Sequence, residues 1–277
     1  MDPEISIMFQ CPFQAGFTED MVRAEISPRY NRRILPEYEP QIAAVWEACR
    51  HSKPWLFNGS KFRIHSAAME RGVLIFRLGL TCYRDFIGTN WSSQAAYLQQ
   101  RGQADFEDSQ AYLAEPLGVG AMLHTADDYF VFLRRSLHVG EAAGLIDIPG
   151  GHPEPKAVAQ GVPEESINPE DLSEDLVVQE LFSSILMEIR DEMQPYCGAG
   201  ERVLPHWGSR GRRIYQHSPH EAPGAPEPGR ERGSLEGAMP FGKRRHQALP
   251  VGAGRLQLMG FLLSELLLPS PPVGQRG

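Results

Sequence analysis

The chain has 277 residues, 42% of them hydrophobic, and a formal net charge of −8. That length allows one large domain or two small ones with a real core, and the acidic balance leaves no whole-molecule electrostatic footprint for nucleic acid. Cys11, Cys49, Cys82 and Cys197 form no CxxC pair, the opening MDPEISIMFQ lacks a basic signal-peptide region, and the longest strongly apolar run, 256–268, is too short to span a bilayer.

These features predict a cytoplasmic or nuclear protein, neither secreted nor membrane-bound. In chain order, residues 5–11 read as a strand. Thr18 followed by Glu19 and Asp20 marks a short helix with a hydroxyl cap and early acids. Pro40 opens a second helix, on which Ile42, Val45, Trp46 and Cys49 recur at helical spacing. Residues 73–80 and 129–135 are apolar runs of buried strands. Residues 144–148 read as a short strand ending in Pro149-Gly150-Gly151. Residues 177–193 carry the clearest helical period, with Leu181, Phe182, Ile185, Leu186 and Ile189 on the apolar side. Strands and helices intermix, so the class is α/β or α+β, and no internal repeat is present.

Composition changes near residue 194. Gly and Pro occupy 25 of the 84 residues from there onward, against 25 of the 193 before it. Net charge is −13 over residues 1–193 and +5 over 194–277. Without helical or strand periodicity, 194 to about 254 is predicted disordered, and 256–268 is predicted to be a short helix. The tail has the character of an alternative reading frame or isoform-specific end; a natural regulatory tail is the other reading.

Chemistry concentrates on the 177–193 helix. Glu188 and Glu192 are one turn apart and share a face, Asp191 is three residues from Glu188, and Glu180 lies two turns earlier. Like charges at this spacing repel by roughly 0.2–0.5 kcal/mol per exposed pair. A hard cation such as Mg²⁺, which takes carboxylate and phosphate oxygens and keeps several waters, would use such a cluster. On helix spacing alone a solvated acidic face is the commoner explanation.

The element upstream adds to this. A strand ends in Gly150-Gly151, followed by His152-Pro153-Glu154, and the acidic helix reads Met187-Glu188-Ile189-Arg190-Asp191-Glu192-Met193. This resembles the Nudix box, in which a glycine precedes a helix with Arg-Glu-apolar-x-Glu-Glu. Met187 stands at the Arg, Asp191 at a Glu and Gln194 at the closing Gly. Gly151 lies 37 residues before Glu188, more than the family spacing, and the resemblance implies an insert between them that includes Gln160-Gly161-Val162-Pro163-Glu164-Glu165-Ser166 and looks like a surface loop; Ala157 stands at the early Glu. Longer stretches carry a wider likeness: Lys53-Pro54-Trp55-Leu56-Phe57, Gly79-Leu80-Thr81-Cys82-Tyr83-Arg84-Asp85-Phe86-Ile87-Gly88-Thr89-Asn90-Trp91, Asp108-Ser109-Gln110-Ala111-Tyr112-Leu113-Ala114 and Pro116-Leu117-Gly118-Val119-Gly120. With these, residues 1–193 resemble the uridine diphosphate glucose pyrophosphatase branch of the Nudix superfamily.

The resemblance implies a Nudix-type α/β/α sandwich with an N-terminal extension domain: a substrate-recognition region at 1–115, a partial Nudix domain at 116–193, and the tail at 194–277. It implies Mg²⁺-dependent hydrolysis of UDP-glucose or UDP-galactose to UMP and the sugar 1-phosphate. Glu188 and Glu192 would hold the metal, with Asp191 as helper. Phe57 and Tyr83 would meet the uridine, where an aromatic face can stack on the base. Arg135, Gly140, Asp147, His152 and Glu154 would line the diphosphate–sugar pocket, Arg135 as a phosphate fork. Asp85 and Trp91 read as structural. A Nudix domain continues past this helix with further strands, and the tail shows none. The expectation is therefore a truncated fold with impaired activity. An inert uridine-nucleotide-binding module and an interaction isoform are the alternatives.

Overall fold

The computed structural model describes residues 7–13, 16–124, 130–137, 139, 142–193, 247–248 and 257–262. Helices and sheets mix, as the sequence implied. The first sheet is β1 (Val22–Ile26), β2 (Ser60–Glu70) and β3 (Val73–Cys82) in the order β1-β3-β2. β1 runs parallel to β3, and β2 is antiparallel to it. The β2–β3 connection is the two-residue turn Arg71-Gly72, with φ of 51° and 84° and Glu70 paired with Val73. Positive φ at both central positions gives the turn whose twist matches the flanking strands.

The described part of the predicted strand at 5–11 is irregular, and the first strand comes later, at β1. The helix predicted at Thr18 is a single 3-10 turn, Glu19–Met21, whose capping residue makes no side-chain cap bond. Val22 and Ala24 bury alternately, and this period of two takes the chain into the sheet. The helix at Pro40 forms as α1 (Glu39–Ser52), with Ile42 and Trp46 buried. It packs near α2 (Tyr83–Gly88), and α3 (Ala95–Phe106) follows.

The second sheet is built on β4 (Val119–His124). On one side β4 pairs with β5 (Phe130–Val131) and β8 (Gly150–Gly151), and on the other with β10 (Gln257–Leu262). A third ladder joins β6 (Leu133–Arg134) to β7 (Ile146–Asp147) and β9 (Gln247–Ala248). The single strand expected at 129–135 is thus divided between two sheets. Its alternation survives the change of partner: Val131 and Leu133 are buried while Phe130 and Phe132 are exposed.

Two expectations about the tail are corrected. Residues 257–262 form a strand, where a helix was expected over 256–268, and 247–248 and 257–262 both pair with the body of the chain. An apolar run of this length reads as either type by pattern alone, and the open side of β4 favours the strand. The tail therefore does supply strands after the acidic helix. Its other residues lie outside the described part.

That helix is α5 (Glu174–Met193). Val177, Val178 and Leu181 pack in a core with Val22, Ala24, Phe62, Phe76 and Leu78 of the first sheet. Ile185 and Ile189 pack with Val119, Ala121, Leu123, Val131 and Leu133 of the second and third. The insert between Gly151 and α5, expected as a surface loop, is also corrected. It holds α4 (Pro155–Val158) and two 3-10 turns, and its Ala159, Ile167 and Leu172 enter the first core. The polar stretch at Gln160–Ser166 hid three apolar anchors around it.

Arg63 is 1% exposed. Its guanidinium donates to the carbonyls of Leu113, Tyr30 and Gln110 at 3.1, 2.9 and 2.7 Å, tying β2 to two irregular segments. Gly79 allows one of them to approach: a Cβ there would lie 2.5 Å from the Tyr30 carbonyl and the Asn31 amide. Asp85 accepts from Arg32 Nε at 2.6 Å, and Trp91 packs beside Phe86. Arg63→Met would leave the carbonyls of Leu113, Tyr30 and Gln110 without their donor, the first two of them at buried positions. We predict a destabilisation of about 3–5 kcal/mol, read by urea unfolding. A change under about 1 kcal/mol would mean that water replaces the guanidinium.

Candidate functional site

Two neighbouring rows of side chains run along α5. Val177, Leu181, Ile185 and Ile189 recur every four residues and are all buried. Glu180, Ser184, Glu188 and Glu192 share that spacing one row over, all but Glu188 buried. In an α-helix such rows are ridges, so the apolar ridge seats the helix and fixes the direction of the acidic one. Glu180 and Glu192 are 9% and 8% exposed, and Glu188 is half-buried. These are not solvated surface acids.

They face the segment from β8 to α4. The Gly150 amide donates to Glu192 Oε2 at 3.3 Å, and the Glu154 amide to Glu180 Oε1 at 3.1 Å. Between them, a Cβ at Gly151 would fall on the Glu188 carboxylate. The glycine turn thus passes along the acidic ridge in the order Glu192, Glu188, Glu180. Gly150 is held just as closely on its other side, where a Cβ would lie 2.6 Å from the Val119 carbonyl. The two glycines are needed because the strand is pressed between β4 and the carboxylates. Asp191 is directed elsewhere: it is exposed and lies 3.7 Å from Arg190 Nε.

The other expected residues fall into two groups. Arg135 Nη1 meets Asp147 Oδ2 at 3.0 Å, which brings together two residues twelve apart in sequence. Gly140 lies outside the described residues. Phe57 is 55% exposed and stands over Gly59, where a Cβ would come within 3.0 Å of its ring. The Tyr83 amide donates to the Gly59 carbonyl at 3.0 Å, and its ring meets Trp46 edge-on at 6.0 Å. Phe57 and Tyr83 are therefore connected through Gly59, one exposed and the other half-buried among aromatics.

Two residues that the sequence reading did not select connect this end to the acidic ridge. Glu164 of the insert accepts from the Ser60 amide and hydroxyl at 2.5 and 2.9 Å. Lys61 Nζ lies 3.5 Å from Glu154 Oε1, and Glu154 is the residue whose amide meets Glu180. His152, half-buried, lies between Gly151 and Glu154. Neither Lys61 nor Glu164 carries a local signal, because each matters only through a partner about a hundred residues away. Cavities of about 210 and 230 Å³, one beside Tyr38 and Tyr97 and one beside Arg63 and His65, include none of the acidic-ridge residues.

Chemically, the ridge offers hard oxygen donors. Among the described residues no three His, Cys, Asp or Glu side chains are gathered to hold a metal ion. Glu188 and Glu192 converge on one glycine turn as a pair, and a pair suits Mg²⁺, which one or two carboxylates plus phosphate oxygens and water satisfy. Also among the described residues, no helix is long and apolar enough to cross a membrane.

Burial pushes the Glu180 carboxyl above its ordinary range; the amide of Glu154 pulls it back, and the Glu154 charge adds to the rise. The folded protein therefore holds this proton more tightly than the unfolded chain. The penalty is absent below the ordinary carboxylate pKa and complete above the raised one. We predict that Glu180→Gln, which keeps the acceptor, melts higher than the parent at pH 7. The gain should vanish as pH falls through the carboxylate range. Thermal melts across that range check it, and a variant less stable than the parent at pH 7 refutes it.

No family model matches the chain. Among curated proteins it is similar to the uridine diphosphate glucose pyrophosphatase NUDT22 of Bos taurus, 56% identical over 198 residues, or 70% of this chain and 67% of the relative. The NUDT22 protein of Homo sapiens is 54% identical over 70% of this chain and 64% of its own length. Nudix hydrolase 9 of Arabidopsis thaliana is 35% identical over 69% of this chain and 66% of its own. The chain thus spans about two thirds of the length of the curated relatives it matches. With this degree of identity, and a glycine turn facing an acidic helix, the chain belongs to the Nudix hydrolase family.

Proposed function

We propose that this chain hydrolyses the diphosphate of a uridine nucleotide sugar, taking UDP-glucose or UDP-galactose and water to UMP and the sugar 1-phosphate. The observation that carries the reading is the pairing of Glu188 and Glu192 against Gly150-Gly151 in a Nudix chain. The relatives' name, uridine diphosphate glucose pyrophosphatase, supports the substrate class. In this reading the layers are those of a Nudix α/β/α sandwich with an N-terminal extension. Residues 1–115 serve recognition, 116–193 carry the chemistry, and the compartment is cytoplasmic or nuclear.

Glu188 and Glu192 would hold Mg²⁺, which when bound neutralises phosphate oxygens and lowers the pKa of water. The chain's own residues account for the rest. Glu192 stays oriented by the Gly150 amide, so its second oxygen has a fixed direction. Glu188 sits where the absent side chain of Gly151 leaves room. Asp191, exposed on the next turn, would assist in solvent at the rim. Arg135, oriented by Asp147, would present its planar fork to the diphosphate, with Gly140, His152 and Glu154 completing the pocket. Phe57 offers an exposed ring for the uracil, and Tyr83 holds the aromatic floor beside it.

Glu192→Gln keeps the acceptor for Gly150 and removes the charge. We predict that Mg²⁺-dependent release of UMP from UDP-glucose falls by on the order of 10²–10³-fold, with the melting temperature unchanged. Undiminished turnover would refute the assignment. Gly151→Ala would force the Glu188 side chain aside from its Cγ outward, and should lower turnover by displacing the carboxylate. Equal kcat/KM for Gly151→Ala and the parent would remove Glu188 from the mechanism.

A further inference from the structure

We propose that Gln257–Leu262, strand β10 in the compositionally aberrant tail, is the positioning strand of the glycine turn. The tail is then a working part of the domain. The second half of the proposal, an effect on catalysis, rests on the function proposed above.

The argument starts from β8. It has two residues, both glycine, and among the described residues its ladder partner is β4, Gly151 opposite Val119 and Gly150 opposite Gly120. A two-glycine strand has no side chains to anchor it and loses the most backbone freedom on ordering. Its position therefore depends on β4 on one side and on the α5 carboxylates on the other. Through it, Gly150 fixes Glu192 by its amide.

β4 is buried on the face toward α5, where Val119, Ala121 and Leu123 are at most 3% exposed. Packing on one face does not hold a strand's lateral position; ladders on both edges do. One edge is taken by β5 and β8, and the other by β10. Without β10 that edge would present unpaired amides and carbonyls. The register runs Gln257 to His124, Leu258 to Leu123, Phe261 to Ala121 and Leu262 to Gly120. Leu262, Gly120 and Gly150 therefore form one row across three strands, ending at the Glu192 hydrogen bond.

Two sequence features fit this role. The register shifts between Leu258 and Phe261, so Met259 and Gly260 oppose Met122 alone, and glycine is the residue that a bulge accommodates most easily. The tail also carries net charge +5 against −13 for residues 1–193, so attraction favours its return to the body.

The test uses the full chain. Phe261→Pro and Leu262→Pro each place a proline in β10, and because their partners Ala121 and Gly120 are adjacent on β4 and neighbouring residues of an antiparallel strand alternate in bonding, one of the two removes a ladder donor. Phe261→Ile keeps strand propensity, and Ala238→Pro places the same ring elsewhere in the tail. Amide hydrogen exchange is read at 119–124 and 150–151, with the Mg²⁺ concentration for half-maximal UDP-glucose turnover. We expect at least one β10 proline to speed exchange at both segments by about tenfold or more and to raise the Mg²⁺ requirement. Phe261→Ile and Ala238→Pro should leave both unchanged. Unchanged exchange in both β10 prolines overturns the proposal. So does exchange of 257–262 at the rate of a free peptide in the unmodified chain, a result that needs no variant to fold. Faster exchange with an unaltered Mg²⁺ requirement overturns the positioning role. If the parent itself shows no Mg²⁺-dependent turnover, the function reading fails, and altered exchange at 150–151 still supports the structural coupling.

Discussion

The structure depends on the two adjacent ridges of α5. Burying Val177, Leu181, Ile185 and Ile189 fixes the rotation of the helix about its own axis, because truncating a buried Leu or Ile such as the last three to alanine costs about 2–5 kcal/mol. Once that rotation is set, Glu180, Glu188 and Glu192 have one direction open to them. The hydrophobic contacts thus bring three acids into a partly buried line that electrostatics alone would disperse.

The line is tolerable because the opposing backbone supplies donors. Gly150 and Glu154 each turn an amide toward a carboxylate, and Gly151 contributes room. Backbone amides add no like charge and no side-chain entropy, so they compensate burial cheaply while leaving further oxygen capacity on each acid. Glu180 retains a raised pKa even so, a sign that compensation is incomplete at that end of the ridge. The insert contributes through Ile167 and Leu172, which hold it against the first core, and through Glu164, which grips Ser60. A segment outside the family's spacing thereby links the Phe57–Tyr83 end to the helix.

Sheet continuity is the second condition. α5 covers one face of β4, but the edges of β4 are matched by segments far apart in sequence: β8 on one side and the tail strand β10 on the other. Composition alone made 194–277 look like material outside the domain. Edge pairing is indifferent to composition, since it uses backbone donors and acceptors that every residue except proline carries.

From sequence alone, α1, β3 and α5 were legible, because each is long and strongly periodic and its apolar stripe is local information. Glu188 and Glu192 were legible for the same reason, as a spacing of four on one helix. Strands at 129–135 and 144–148 were legible too, but the division of the first between two sheets, the pairing of Gly150-Gly151 with β4, the anchoring of the insert and the strand at Gln257–Leu262 were not, since short segments take their conformation from whatever edge they meet. The separation of Asp191 from the Glu188–Glu192 pair, the Arg135–Asp147 contact and the Lys61–Glu154 link were likewise decided in three dimensions. Periodicity determines which side of an element is buried; the groups that meet there are chosen by partners elsewhere in the chain, which no local pattern records.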